Sequence, residues 1–213
     1  MTEPPFDVKA LYRARKGRVE FVDVPAMYFL TITGEGDPNG PDFAAAVEAL
    51  YAVSYGAHSV LKRERDVHTK VMPLEALWWV DDRRQHDLVA AVALGFADMS
   101  ATDRDKWHWQ AMIMQPPPID ESAIARAVEQ SRKKDLPTLD EVRFESWKEG
   151  RSAQVLHVGP YVEEAPTIAL LHDTIDSAGW RPRGRHHEIY LSDARRSAPE
   201  RLRTILRHPV EPA

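Results

Sequence analysis

Along the chain, short windows of alternating or continuous apolar residues are separated by segments whose apolar positions recur at helical spacing. Residues 19 to 33, VEFVDVPAMYFLTIT, are rich in β-branched and aromatic types, and Pro25 is expected to divide them into two short extended pieces. The glycine- and proline-rich GEGDPNGPDF then turns the chain into a helix, in which Phe43, Val47, Leu50 and Tyr51 define one face and Gly56 offers a stop. MPLEALWWVDD and KWHWQAMIMQ read as strands on either side of an Ala-rich stretch ending near Met99, and Pro116, Pro117 and Pro118 end the second. DESAIARAVEQSRKK, 120 to 134, predicts an exposed helix. RSAQVLHVG is then a strand, and GPYVEEAPTIALLHDTIDSAG a helix with Ile168, Leu170, Leu171 and Ile175 on its apolar side and Gly179 at its end. HHEIYLSD and RLRTILRHP are further strands.

The order repeats. Strand, turn, helix, strand, polar loop, strand and proline occur over residues 26 to 116 and again over 152 to 209. Laying Leu74-Glu75-Ala76-Leu77-Trp78 on His187-Glu188-Ile189-Tyr190-Leu191 places one glutamate at the same strand position in each half, and brings the loops Asp81-Asp82-Arg83-Arg84 and Ser192-Asp193-Ala194-Arg195-Arg196 close to register. The predicted fold is α+β: duplicated strand-helix-strand-strand modules that join their antiparallel sheets edge to edge, with helices on one face and a ligand cleft at the pseudo-twofold seam. A length of 213 residues fits one domain, with module one at about 19–118, a connecting helix at about 120–134 and module two at about 142–213.

Composition narrows the chemistry. With 28 Lys plus Arg against 33 Asp plus Glu, the net charge of -5 gives no pull toward the phosphates of nucleic acid. No window offers the ~20 apolar residues of a membrane span. The absence of cysteine removes disulfides, thiolate nucleophiles and iron-sulfur ligation. No secretory leader is readable in the first residues, so a cytoplasmic location is expected. His186-His187-Glu188 invites a metal, but neighbouring strand residues face opposite ways and no HExxH spacing exists, so neither metal nor cofactor is expected.

A glutamate inside an apolar strand is unusual, because removing a carboxylate from water costs several kcal/mol unless it is paired. Alternation sets Glu188 on one face with His186, Tyr190 and Ser192, and Glu75 with Leu77 and Trp79. One reading is that each glutamate is wetted or paired with an arginine; the other is that both floor one aromatic cleft, where rings and charge would hold a lipophilic cation or planar polar ligand. Trp79 is the cleft candidate by parity. Trp109 shares a face with Trp107, Ala111 and Ile113, which fits core as well as ligand lining. Tyr55, one helical turn from Tyr51, and Tyr161 complete the candidate lining.

VPAMYFLTITGEGDPNGPDF, LYAVSYG, PLEALWW, QVLHVGPYVEEAPTI and HHEIYLSD with RLRTILRHPV together resemble the GyrI-like small-molecule-binding family, over nearly the whole chain. The resemblance is to stand-alone members, since no DNA-binding segment precedes the domain. It implies a glutamate in an aromatic pocket for lipophilic cations, with Glu188 at the motif position. Some stand-alone relatives are hydrolases that open reactive cyclopropane rings of DNA-alkylating natural products, which would make Glu188 and Tyr190 catalytic. The alternative it implies is a drug-sequestering or sensing protein without turnover. Neither reading fixes the oligomeric state.

Overall fold

The computed structural model describes residues 7–80 and 106–213. The Ala-rich stretch and the Asp81–Arg84 loop of the sequence reading lie outside them. The first half runs β1 (Glu20–Glu35), α2 (Pro41–Arg65), β2 (Leu74–Trp79) and β3 (His108–Met114), preceded by a short α1 (Val8–Leu11). After α3 (Glu121–Ser131) come β4 (Arg143–Val158), α4 (Ala165–Ser177), the short β5 (Trp180–Pro182), β6 (His186–Tyr190) and β7 (Arg203–Pro212). All strand pairings are antiparallel, in the order β4-β1-β3-β2-β6-β7-β5. The long β4 pairs with β1 through Arg143–Gln154 and with β7 through Ser152–Val158, so the sheet curls into a barrel-like wall with an enclosed and a helix-bearing face. No helix among the described residues is long and apolar enough to cross a membrane.

Pro25 does not split β1. It lies before the stretch where β1 meets β3, which begins at Phe29, so its missing N–H interrupts no ladder on that side. The neighbouring Val24 pairs with Gly150, which has φ 79. Val24 and Met27, three residues apart, both reach the enclosed core, so the strand pair turns a corner there and exchanges the faces of its side chains. Gly56 likewise ends nothing. The helix runs on to Arg65 and stops at Asp66 in the left-handed region, while Gly56 lets α2 approach α3: a methyl there would meet the Ala127 Cβ at 3.0 Å. That contact explains why α3, predicted as exposed, buries Ala123, Ile124 and Ala127.

The helix-bearing face packs in two clusters. Leu30, Ile32, Trp78, Trp109 and Ile113 lie under α2 and α3, and Ala153, Val155, Leu206 and Val210 lie under α4. Trp109 belongs to this core. It pairs across the strands with Gly34, whose missing side chain makes room for the indole, and packs edge-on against Phe43 at 5.1 Å.

The enclosed face holds Met27, Phe29, Leu77, Met112 and Met114, capped by Leu11 and Tyr12 of the N-terminal segment. Among them sits a chain of ionisable groups. His187 bridges Glu149 through Nδ1 and Glu75 through Nε2, each at 3.0 Å. Arg207 donates to Glu149 at 3.1 Å, to Gln154 and to the Leu11 carbonyl, and the Tyr12 hydroxyl donates to Glu75 at 2.6 Å. Burial would drive His187 to neutrality, but Glu149 and then Glu75 outweigh it and hold the imidazolium up to about 9. Glu149 is held below the usual carboxylate range because His187 and Arg207 overcome its own burial.

Three outcomes follow. Glu149→Gln leaves Arg207 and His187 without their shared anion and is expected to cost about 3–5 kcal/mol in denaturant unfolding. Because the folded pKa of His187 lies above its ordinary 6.5, its stabilisation is complete below about 6.5 and is lost as pH rises toward about 9; the pH dependence of urea unfolding over that window should flatten in His187→Gln. Trp109→Ala is expected to cost about 3–5 kcal/mol through the cavity it leaves, while ligand affinity of the folded fraction stays unchanged. Urea unfolding and a parallel dye titration would measure both.

Candidate functional site

The two glutamates that the sequence overlay matched do not meet. In the β2–β6 ladder, Ala76 pairs with Glu188 and Glu75 with Ile189, so the overlay is one residue out of phase and the carboxylates point to opposite faces. Glu75 is bound within the enclosed network, to His187 and Tyr12, and forms no cleft floor. Trp79 follows it to that side. Its ring stacks on His108 at 5.5 Å and lies 3.5 Å beneath the Arg185 guanidinium. Trp109 is core, as described above. Of the two adjacent tryptophans, it is Trp78 that shares the Glu188 face.

The helix-bearing face presents a second arrangement. α2 packs mainly over β1 and β3, and α4 over β4, β5 and β7, so the adjoining β2 and β6 form the strip of sheet between the two helices, here called the trough. From β6, His186, Glu188 and Tyr190 share this face, as pleating predicts. Glu188 is 14% exposed, with one carboxylate oxygen 3.4 Å from the His186 Nε2. The Trp78 indole N–H donates to the Tyr190 hydroxyl at 3.2 Å, and Glu188, two residues away on the same face, acts on that phenol. Tyr161, in the turn before α4, packs edge-on against Tyr190 at 5.7 Å and is half exposed. Tyr51 and Tyr55 stack at 6.0 Å on α2; Tyr51 hydrogen-bonds the backbone at Leu74 of β2, and Tyr55 is 62% exposed, so it can contribute only at the rim.

Glu164, the residue that opens α4, is only 2% exposed. Its carboxyl is raised well above the usual range, first by burial and then by Glu188, against an opposing contribution from the Thr204 hydroxyl. Burial, Glu188 and then Glu164 push the Tyr161 phenol up to about 12, and Tyr190 is driven well above 10 by burial and Glu188. Both phenols therefore stay protonated at neutral pH and serve as donors. The sequence reading did not single out Glu164, yet the signal is there: Glu164, Ile168, Leu171 and Ile175 fall at successive helical spacings, which puts the acid on the apolar face of α4.

Beside Glu188, the His208 ring lies between those of His172 and His186, with centroids 5.2 Å and 6.1 Å away. Burial and then His186 lower His172 to about 4, and burial pushes His208 well below its ordinary value, so these two rings are neutral at neutral pH. Among the described residues, no group of three or more His, Asp or Glu side chains is disposed to hold a metal ion. A separate open pocket of about 220 Å³ lies at the end of α2, lined by Tyr55, His58, Lys62, His68 and Thr69 among others.

A face that combines a nearly buried carboxylate, a second buried acid, indole and phenol rings suits small organic ligands. The comparisons agree. An uncharacterised conserved protein of Listeria innocua is 36% identical, with a TM-score of 0.82 over 96% of this chain and 97% of its own. Two structures from Listeria innocua described as hydrolases are 33% and 34% identical, with TM-scores of 0.77 and 0.76; they cover 95% and 96% of this chain and 96% of their own. No curated protein sequence matches. The profile of the GyrI-like small molecule binding domain matches residues 18–211, and the chain belongs to that family.

Proposed function

We propose that the trough over β2 and β6 binds planar lipophilic molecules, cations included, and hydrolyses those that carry a strained cyclopropane ring conjugated to a carbonyl. The observation that carries this reading is the Trp78–Tyr190 hydrogen bond beside the nearly buried Glu188, flanked by Tyr161, on the helix-bearing face. The two hydrolase-described structures at about one-third identity over nearly the whole chain support the enzymatic side. In this reading the rings hold the plane of the substrate. Glu188 takes a proton from a water molecule whose oxygen attacks a cyclopropane carbon. The strained carbon–carbon bond breaks, its electron pair moves through the conjugated system to the carbonyl oxygen, and the nascent phenolate is stabilised by a phenol donor. Tyr161 has its hydroxyl uncommitted to Glu188 and suits that role, with Tyr190 orienting the carboxylate. The phenolate then takes up a proton, which completes the addition of water.

Incubation with a cyclopropane-bearing alkylator, followed by mass spectrometry, is expected to give a product heavier by one water. Glu188→Gln should slow its formation by about 10²–10⁴-fold, the usual worth of a general base. Binding of unchanged compound without product in the wild type would leave a sequestering protein in place of an enzyme. A quaternary-amine dye titrated against wild type and Glu188→Gln tests the pocket itself, and equal affinity in the two would remove Glu188 from it.

A further inference from the structure

The trough contains more buried polar atoms than the proposed reaction uses. Glu164 is 2% exposed and its Oε1 has no hydrogen-bond partner. Thr204 pairs directly with Tyr190 across the β6–β7 ladder and is 1% exposed; its hydroxyl acts on Glu164 but has no partner at full hydrogen-bond geometry. Such atoms are costly to bury unless a ligand completes them. The groups around Glu164 come from every neighbouring element. β6 supplies Glu188, beside which His186 lies at 3.4 Å, and Tyr190; β7 supplies Thr204, and the turn before α4 supplies Tyr161. Asp193, after β6, acts on the same phenol. His157 of β4 is committed to Thr167 and the Pro160 carbonyl. Among the described residues, no lysine or arginine acts on Glu164.

Two neighbouring carboxyls with no cation between them hold a single proton, because a second ionisation would place like charges together in a poorly hydrated site. A ligand with one positive charge is matched by Glu188 alone, and Glu164 stays neutral as a hydrogen-bond donor. A second positive charge changes the balance. We propose that Glu164 is a second anionic subsite of the trough, which makes planar aromatic dications a ligand class of this protein and couples their binding to loss of the proton that Glu164 holds. This rests on the small-molecule reading of the trough and adds a charge-counting rule to it. Dication affinity therefore rises with pH until Glu164 is ionised in the free protein, whereas monocation affinity is flat over the same range.

Ethidium and propidium share one phenanthridinium ring and differ by one positive charge, which makes them matched probes. Fluorescence titrations between about pH 6 and pH 9 are expected to show propidium tightening by up to about tenfold per pH unit and ethidium unchanged. Calorimetry in buffers of different ionisation enthalpy should count close to one proton released with propidium and none with ethidium. In Glu164→Gln, propidium should lose both the proton release and the pH slope while ethidium keeps its affinity; Glu188→Gln should weaken both dyes. Ethidium binding alongside propidium binding without proton release would overturn the subsite and leave the trough standing. Failure of both dyes to bind wild type would overturn both readings, and ethidium binding without propidium binding would overturn the subsite alone. Should Glu164→Gln not fold, the proton count on wild type decides alone.

Discussion

The bridge from His187 to Glu75 and Glu149 determines what the rest of the molecule can present. Strand β6 is five residues long, and pleating sends its side chains alternately to the two faces. With His187 held inside by two hydrogen bonds of 3.0 Å, His186, Glu188 and Tyr190 must face the helices. A slip of one residue would bring Glu188 into the enclosed core and carry His187 away from its carboxylates. The network thus acts as a register lock, a use of buried charge better supported here than any gain in stability, since a buried ion pair often does no better than a well-packed apolar replacement.

The two faces also differ in how their charges are balanced. Inside, Glu75 and Glu149 are set against His187 and Arg207, and every member of the chain has a hydrogen-bond partner. This is what a closed structural network looks like. Outside, Glu188 and Glu164 face each other with phenols, a threonine and an imidazole around them, and an oxygen of Glu164 is left over. Folding does not select for that arrangement, because it raises the energy of the native state. Unbalanced, poorly hydrated acids beside aromatic rings are the signature of a place kept for something else.

Much of the architecture was legible in the sequence because periodicity and punctuation carry it. The doubled strand-helix-strand-strand order, the helical face of α4 and the sharing of one face by His186, Glu188 and Tyr190 all follow from local spacing. Whatever depends on relative register was not legible. Matching Glu75 to Glu188 required an alignment of two strands good to one residue, and an error of one inverts the face, which carried Trp79 to the wrong side with it. Gly56 and Trp109 failed for a related reason. Each is decided by a neighbour distant in sequence, Ala127 for the glycine and Gly34 for the indole, and no local pattern reports it. Glu164 was recoverable from helical spacing alone, but an acid at a helix start reads first as a cap, and only its burial reveals another use.

The geometry of the trough also constrains which of its rings can do what. Tyr190 accepts from Trp78 and lies beside Glu188, so its hydroxyl is held at the inner end of the site next to the carboxylate. Tyr161 contributes a ring edge-on to Tyr190 and lies closer to solvent, where a phenol can turn toward whatever occupies the trough. Tyr55, more exposed still, can touch a ligand only as it enters or where it protrudes. A fixed inner acid, an intermediate ring free to adapt and an outer ring at the rim form a gradient from rigid to permissive. Under the proposed function, orientation of the reacting or charged end is strict at the floor, while tolerance for the shape of the remainder increases toward the opening.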